Sequence, residues 1–160
     1  MSKKLSLALL RLTMSFIFLW AFFDKLFGLG FATKPHESWL QGASPTTGYL
    51  QFGTKGPLHQ IFNSLAEQQS IDWLFMMGLL FIGIALFLGI GMRVAAYSGS
   101  LLMFLIWLSL FPPENNPLID EHIIYILVFI VLWTNHAGRT WGFGELWRKT
   151  KLVRNNKWLE

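Results

Sequence analysis

The sequence contains no cysteine. That excludes disulfides, thiolate-held metals, iron–sulfur ligation and any thiol relay carried by the chain itself. Charge is scarce too. Charged residues make up 14% of the 160 residues, against roughly 25% in an average soluble domain. A soluble domain of this length exposes more surface than so few charges can cover. The phosphate-cradling pattern G-x-x-x-x-G-K-[ST] is missing, and Gly53-Thr54-Lys55-Gly56 does not replace it. No serine or cysteine nucleophile motif is present. What abounds is apolar: 53% hydrophobic residues, 15 Phe, 8 Trp and a mean hydropathy of +0.44. The composition excludes a disordered tail, a nucleic-acid module and most soluble enzymes, and it points to a membrane protein.

A bilayer-spanning helix takes about 20 mainly apolar residues. Four segments approach this and predict helices at about 5–29, 71–90, 94–111 and 118–137. The first carries Arg11 and the pair Asp24-Lys25, the second Asp72 at its start, and the third no charge. The uncharged run of the fourth, Ile123 to Trp133, has only 11 residues. To span, it must take in Ile119-Asp120-Glu121-His122 and Asn135-His136 at the membrane edges. The first segment is longer than the 7–15 apolar residues of a signal peptide and reads as a retained helix.

Lys and Arg set the orientation. With the N-terminus inside, ten of the 13 basic residues lie inside and only Lys25, Lys34 and Lys55 outside, while seven of the nine acids lie outside. The basic balance is therefore a topology signal, with anionic lipid of the cytoplasmic leaflet as its natural partner and no role for nucleic acid. The expected protein is all-α: a multi-pass four-helix bundle of the cytoplasmic membrane, one domain over 1–160, with a long extracytoplasmic loop at 30–70 and a cytoplasmic tail at 138–160. A tight turn at Gly91-Met92-Arg93 makes helices two and three a hairpin. The loop reads as partly helical. Ser44-Pro45 and Gly56-Pro57 place proline at helix starts, and Leu58, Ile61, Phe62 and Leu65 then recur at amphipathic spacing. Trp141, Phe143, Leu146 and Trp147 among basic residues suggest an interfacial segment on the inside.

Ionisable groups within membrane segments are costly and count as functional candidates. Arg11 reads either as a snorkelling side chain or as one that faces the bundle. At the outer edge Asp24, Lys25, Asp72, Glu114, Asp120, Glu121 and His122 fall near one level, as headgroup contacts or as one polar pocket. In the pocket reading Lys25 is the main cation, His122 exchanges protons near neutral pH and Asp120 holds its tautomer. On the fourth helix His122, Tyr125, Phe129, Trp133 and His136 form one stripe. It reads as core packing or as a slot for a flat quinone ring, which needs apolar walls, one or two hydrogen-bond donors and a proton source. No metal site is expected. A bis-His haem needs two facing imidazoles, whereas His122 and His136 sit at opposite edges of one helix and His36 and His59 in the loop. Small residues on helices two and three, Gly78, Gly83, Ala95, Ala96 and Gly99 among them, serve close packing within the bundle or form a homodimer face.

Several of these features together carry a resemblance. They are Arg11 and Asp24-Lys25 in helix one, Gly89-Ile90-Gly91-Met92-Arg93 between helices two and three, and Gly138-Arg139-Thr140-Trp141-Gly142 after helix four. To these add Gly42-Ala43-Ser44-Pro45-Thr46, Gly48-Tyr49-Leu50-Gln51-Phe52-Gly53-Thr54 and Pro112-Pro113-Glu114-Asn115-Asn116-Pro117 followed by Asp120-Glu121-His122. Over residues 5–147 the chain resembles the DoxX/DoxD family, named for the small membrane subunit of a thiosulfate:quinone oxidoreductase. The resemblance implies a membrane redox subunit that passes electrons to a quinone, with thiosulfate or another small reductant as donor through a second redox subunit. On that reading His122, Lys25 and Asp120 are the catalytic candidates, and Tyr125, Phe129 and Trp133 line the quinone. The net negative outer side would repel a dianion at long range, so a partner would have to supply the capture site. The alternative is a non-catalytic membrane scaffold that anchors a redox partner.

Overall fold

A computed structural model describes residues 2–160, and among them it contains helices and turns but no strand. Helix α1 spans Lys3–Phe27. The Ser2 hydroxyl caps its start, and Gly28, at φ 67°, ends it in the left-handed conformation that glycine adopts at least cost. The segment that follows carries short helical turns at Pro35–Glu37, Trp39–Gln41 and Tyr49–Gly53, then the six-residue helix α2, His59–Ser64. Of the predicted amphipathic face, Leu58, Phe62 and Leu65 are half-buried and Ile61 is exposed. Helix α3 is Gln69–Leu88 and α4 is Met92–Ser109. The turn between them, 89–91, is centred two residues earlier than predicted. Gly89 and Gly91 both take positive φ, and Met92 already opens α4. Any β-carbon on Gly89 would lie 2.7 Å from the Gly138 carbonyl oxygen.

Three helices, α1, α3 and α4, are long and apolar enough to cross a bilayer, which marks the chain as a membrane protein. The expected fourth span is shorter than predicted. Helix α5 covers Glu121–Thr134, 14 residues, or about 21 Å at 1.5 Å per residue against a hydrocarbon core of roughly 30 Å. Local chemistry sets its ends. The Asp120 carboxylate accepts from the His122 and Ile123 amides and fixes the start. His136, at φ 52°, turns the chain left-handed just past the end. Two short helices follow, α6 (Gly144–Arg148) and α7 (Lys151–Asn155).

The apolar helices pack in a ring: α1 on α3, α3 on α4, α4 on α5, and α5 back on α1. The core runs through Phe18, Phe22, Met76, Leu86, Met103 and Phe129, all buried. The outward faces are apolar as well, with Phe16, Leu74, Phe81, Phe87 and Leu101 exposed. A helix apolar all round needs lipid or protein on its outer side. The small residues are used inside the ring: a β-carbon on Gly83 would meet Leu19, and one on Gly99 would meet Phe129.

Arg11 settles on the bundle-facing reading. It is fully buried, and its guanidinium donates to the carbonyls of Leu86, Phe87 (2.8 Å), Thr140 (3.3 Å) and Trp141 (2.8 Å). The first two are carbonyls of the last turn of α3, beyond the reach of the helix's own ladder, and the Leu86 carbonyl also accepts the Gly89 amide at 3.2 Å. One side chain thus ties three parts of the chain together.

Candidate functional site

The antiparallel ring brings the last turns of α1 and α4 and the first turns of α3 and α5 to one end. The polar groups predicted at a common level do share that end, but they divide into separate local groups.

Asp72, buried in the first turn of α3, accepts from the Ser44 hydroxyl at 2.7 Å and the Thr46 hydroxyl at 2.6 Å. The Ser44 oxygen in turn accepts from the Thr47 amide and hydroxyl. This latch holds the segment after α1 across the helix ends. A second latch joins Tyr49 to the end of α4: the two hydroxyls of Tyr49 and Ser109 lie 2.6 Å apart, and the Lys55 amide donates to the Ser109 carbonyl at 2.8 Å. Burial raises the Tyr49 pKa above its ordinary value; the Ser109 hydrogen bond works against that shift, and the nearby Asp120 charge adds to it. Lys55 also pairs with Glu114, which pulls the exposed Glu114 carboxyl below its ordinary value.

Asp120 and His122 meet as predicted, with Asp120 Oδ2 2.9 Å from His122 Nδ1 and both side chains largely buried. The same carboxylate caps α5, so a helix start would account for the pair without any chemistry. Asp120, Glu121 and His122 also bring their potential ligand atoms within 4.8 Å of one another. This is one end of one helix, with Glu121 exposed.

Lys25 does not join them. It forms no ion pair among the described residues. It lines a different space, an open-sided cavity of about 330 Å³ on the outward side of α1, bordered by Phe16, Ile17, Trp20, Ala21, Phe31 and Ala32 together with Asp24 and Lys25; Phe16 and Phe31 are themselves exposed. Neither Asp120 nor His122 borders it. The predicted single pocket is therefore divided, because side chains at one level of a helical ring still point to different sides of it. Two aromatic contacts shape the cavity wall. Trp20 stacks on Phe16 with centroids 5.6 Å apart and meets Phe31 edge-on at 5.0 Å. Asp24 is 2% exposed. Its Oδ1 has one long contact, from the Phe31 amide at 3.4 Å, and its Oδ2 has no hydrogen-bond partner among the described residues.

The chain matches no protein-family model, no curated protein and no solved structure.

The α5 stripe is occupied by packing. Phe129 is 1% exposed, lies edge-on to Phe18 at 5.5 Å and faces Gly99 closely enough to fill the space a side chain would take. Tyr125 packs on the core. Trp133 lies 5.4 Å from the Tyr97 ring, and the Arg93 guanidinium sits 5.4 Å above it. Tyr125, Phe129 and Trp133 thus turn to the core, whereas His136, expected on the same stripe, lies past the end of α5 and is exposed, and the space that Trp133 and His136 border is only about 30 Å³.

The aromatic wall of the α1 cavity escaped the sequence reading. A signal was present in part. Phe16, Trp20 and Asp24 recur every four residues, and so do Ile17, Ala21 and Lys25, which puts all six on one side of α1. Phe31 arrives from beyond Gly28, and no periodicity reveals it.

Proposed function

We propose that the protein is a membrane redox subunit that works with a quinone, as its resemblance to DoxX/DoxD proteins implies, and that the quinone headgroup is received in the Asp24–Lys25 cavity rather than on the α5 stripe. Electrons would come from thiosulfate or another small reductant through a second redox subunit. The observation that carries this reading is the cavity itself, with aromatic walls, Lys25 as a cation at its border and, in its lining residue Asp24, a buried carboxylate oxygen without a hydrogen-bond partner among the described residues. Its volume lies at the lower end of ligand pockets. The residues fit a quinone in both redox forms. Lys25 supplies a donor for a ring carbonyl, and Asp24 an acceptor for the hydroxyl that replaces the carbonyl on reduction. Phe16, Trp20 and Phe31 supply flat apolar surface against the ring. The quinone itself supplies the two-electron, two-proton chemistry. In the same reading α5 crosses the bilayer with its polar flanks at the two edges, and both ends of the chain lie on the cytoplasmic side.

The scaffold reading keeps one specific support. Three buried polar groups, Arg11, Ser15 and Asp72, hold the fold together, and the α5 stripe is filled. An organic extract of purified protein separates the two. The redox reading expects bound quinone, or retention of an added short-chain quinone, that is lost when Ala21→Trp fills the cavity. A native protein that neither carries nor retains quinone, yet co-purifies with a redox protein, supports the scaffold.

A further inference from the structure

The segment after α5 is fastened to the helix ends. Arg11 holds the Thr140 and Trp141 carbonyls, and the Phe143 amide donates to the Leu88 carbonyl at 2.7 Å. Leu88 closes a candidate span, so residues 140–143 are fixed at the level where that span ends. Beyond it, Trp147 Nε1 donates to the Leu159 carbonyl at 2.7 Å, and the Thr150 hydroxyl caps α7. The α6–α7 unit is thereby folded on itself rather than extended into solvent.

This anchored unit turns outward a mixture that water does not favour. Trp141, Phe143, Leu146 and Leu152 are 56–64% exposed. Beside them Lys151, Arg154 and Lys157 are exposed and form no ion pair among the described residues, because Glu145 and Glu160 are engaged by Arg139, Arg148 and Lys149.

We propose that residues 141–158 form an interfacial apron that seats on an anionic phospholipid surface. Trp141, Phe143, Leu146 and Leu152 enter the headgroup boundary, and Lys151, Arg154 and Lys157 meet the lipid anions. Two observations select this occupant. The attachment to Leu88 sets the unit at the depth where headgroups lie, and the unpaired charge is all of one sign. A zwitterionic surface would accept the apolar residues and leave three cations uncompensated.

Because the chain has no cysteine, Leu152→Cys gives a single labelling site. The labelled full chain is placed in phosphatidylcholine nanodiscs containing phosphatidylglycerol. A chain-doxyl quencher is carried on one lipid or the other at equal mole fraction. The expected result is severalfold stronger quenching from the phosphatidylglycerol carrier, with roughly fivefold in local enrichment at stake per cation. The preference should vanish in the K151Q/R154Q/K157Q variant, and in the native chain it should weaken as salt rises. Equal quenching by both carriers in the native chain overturns the proposal. So does quenching by neither, which would put Leu152 in water or against protein. A preference that withstands 0.5 M salt or the triple substitution overturns it as well.

Discussion

Arg11 offers the sharpest test of how the fold is held. Replacing it with Leu removes hydrogen bonds to four carbonyls on α3 and on the segment after α5. Side-chain hydrogen bonds inside membrane proteins average roughly 0.6 kcal/mol and reach about 1.7, while those to charged groups in soluble proteins run at about 1.5–3. The lower figure for four bonds gives about 2.4 kcal/mol. The higher figures overstate the loss, because removing the charge also removes its desolvation cost. Destabilisation of about 2–4 kcal/mol is expected. Arg11→Lys should be no milder. One ammonium cannot fork between two pairs of carbonyls as a guanidinium does, and its charge stays buried. Reversible unfolding in bicelles measures the global term. Hydrogen exchange at the Phe143 amide, which bonds to Leu88, reports whether the attachment has opened. An Arg11→Leu protein within about 0.5 kcal/mol of the native one, with Phe143 still protected, would refute the idea that this guanidinium fastens the three segments.

Gly99→Ala puts a β-carbon 2.2 Å from the Phe129 ring, which is too enclosed to swing away. A net loss of about 1–3 kcal/mol is expected, with partial rescue by Phe129→Leu in a double-mutant cycle; additive losses would mean that the two sites do not touch. Tyr49 carries the pH dependence of the loop latch. Because its folded pKa is raised, the neutral phenol is favoured in the folded state. Its contribution is complete below the unfolded value near 10 and is lost as pH rises through the folded value. Tyrosinate absorbance should show one residue ionising late, and Tyr49→Phe should abolish that step.

Composition and hydropathy make α1, α3 and α4 legible, because an apolar run long enough to span admits few alternatives. Gly91 was legible as a turn residue, whereas Gly89, which also takes positive φ, fell inside the helix expected over 71–90. The bounds of α5 were not legible. The 118–137 expectation came from bilayer thickness, whereas Asp120 and His136 set the ends by local capping and backbone geometry. The Asp120–His122 contact lay within two residues and could be read directly. The partners of Asp72, Ser44 and Thr46, lie 28 and 26 residues away across a loop whose path no periodicity encodes. The α5 stripe shows a further limit. Spacing tells which residues share a face, but whether that face meets a ligand or a neighbouring helix depends on what stands opposite, here Gly99 and Phe18.

The same distinction gives Asp24 its weight. Three side chains carry buried atoms without a hydrogen-bond partner among the described residues: Arg11, Arg93 and Asp24. In Arg11 only Nε is unmet, while the rest of the guanidinium holds four carbonyls. Arg93 lies 5.4 and 5.5 Å from the Trp133 and Trp158 ring centroids, which partly compensate its charge. Asp24 has only the one long contact from the Phe31 amide. An unmet buried polar group costs about 1–3 kcal/mol, and a fold with no use for it would do better without it. Asp24→Asn should therefore stabilise the ligand-free protein, or leave it unchanged, while lowering retention of the reduced, hydroquinone form by about tenfold or more, since the Phe31 amide keeps the one remaining oxygen at Oδ1 and an NH2 donor replaces the acceptor at Oδ2. Unfolding of quinone-depleted protein measures the first effect and extraction after reloading the second. If Asp24→Asn instead destabilised the depleted protein by 2 kcal/mol or more and left retention unchanged, Asp24 would be a structural group like Asp72, and the cavity would lose its claim to a ligand.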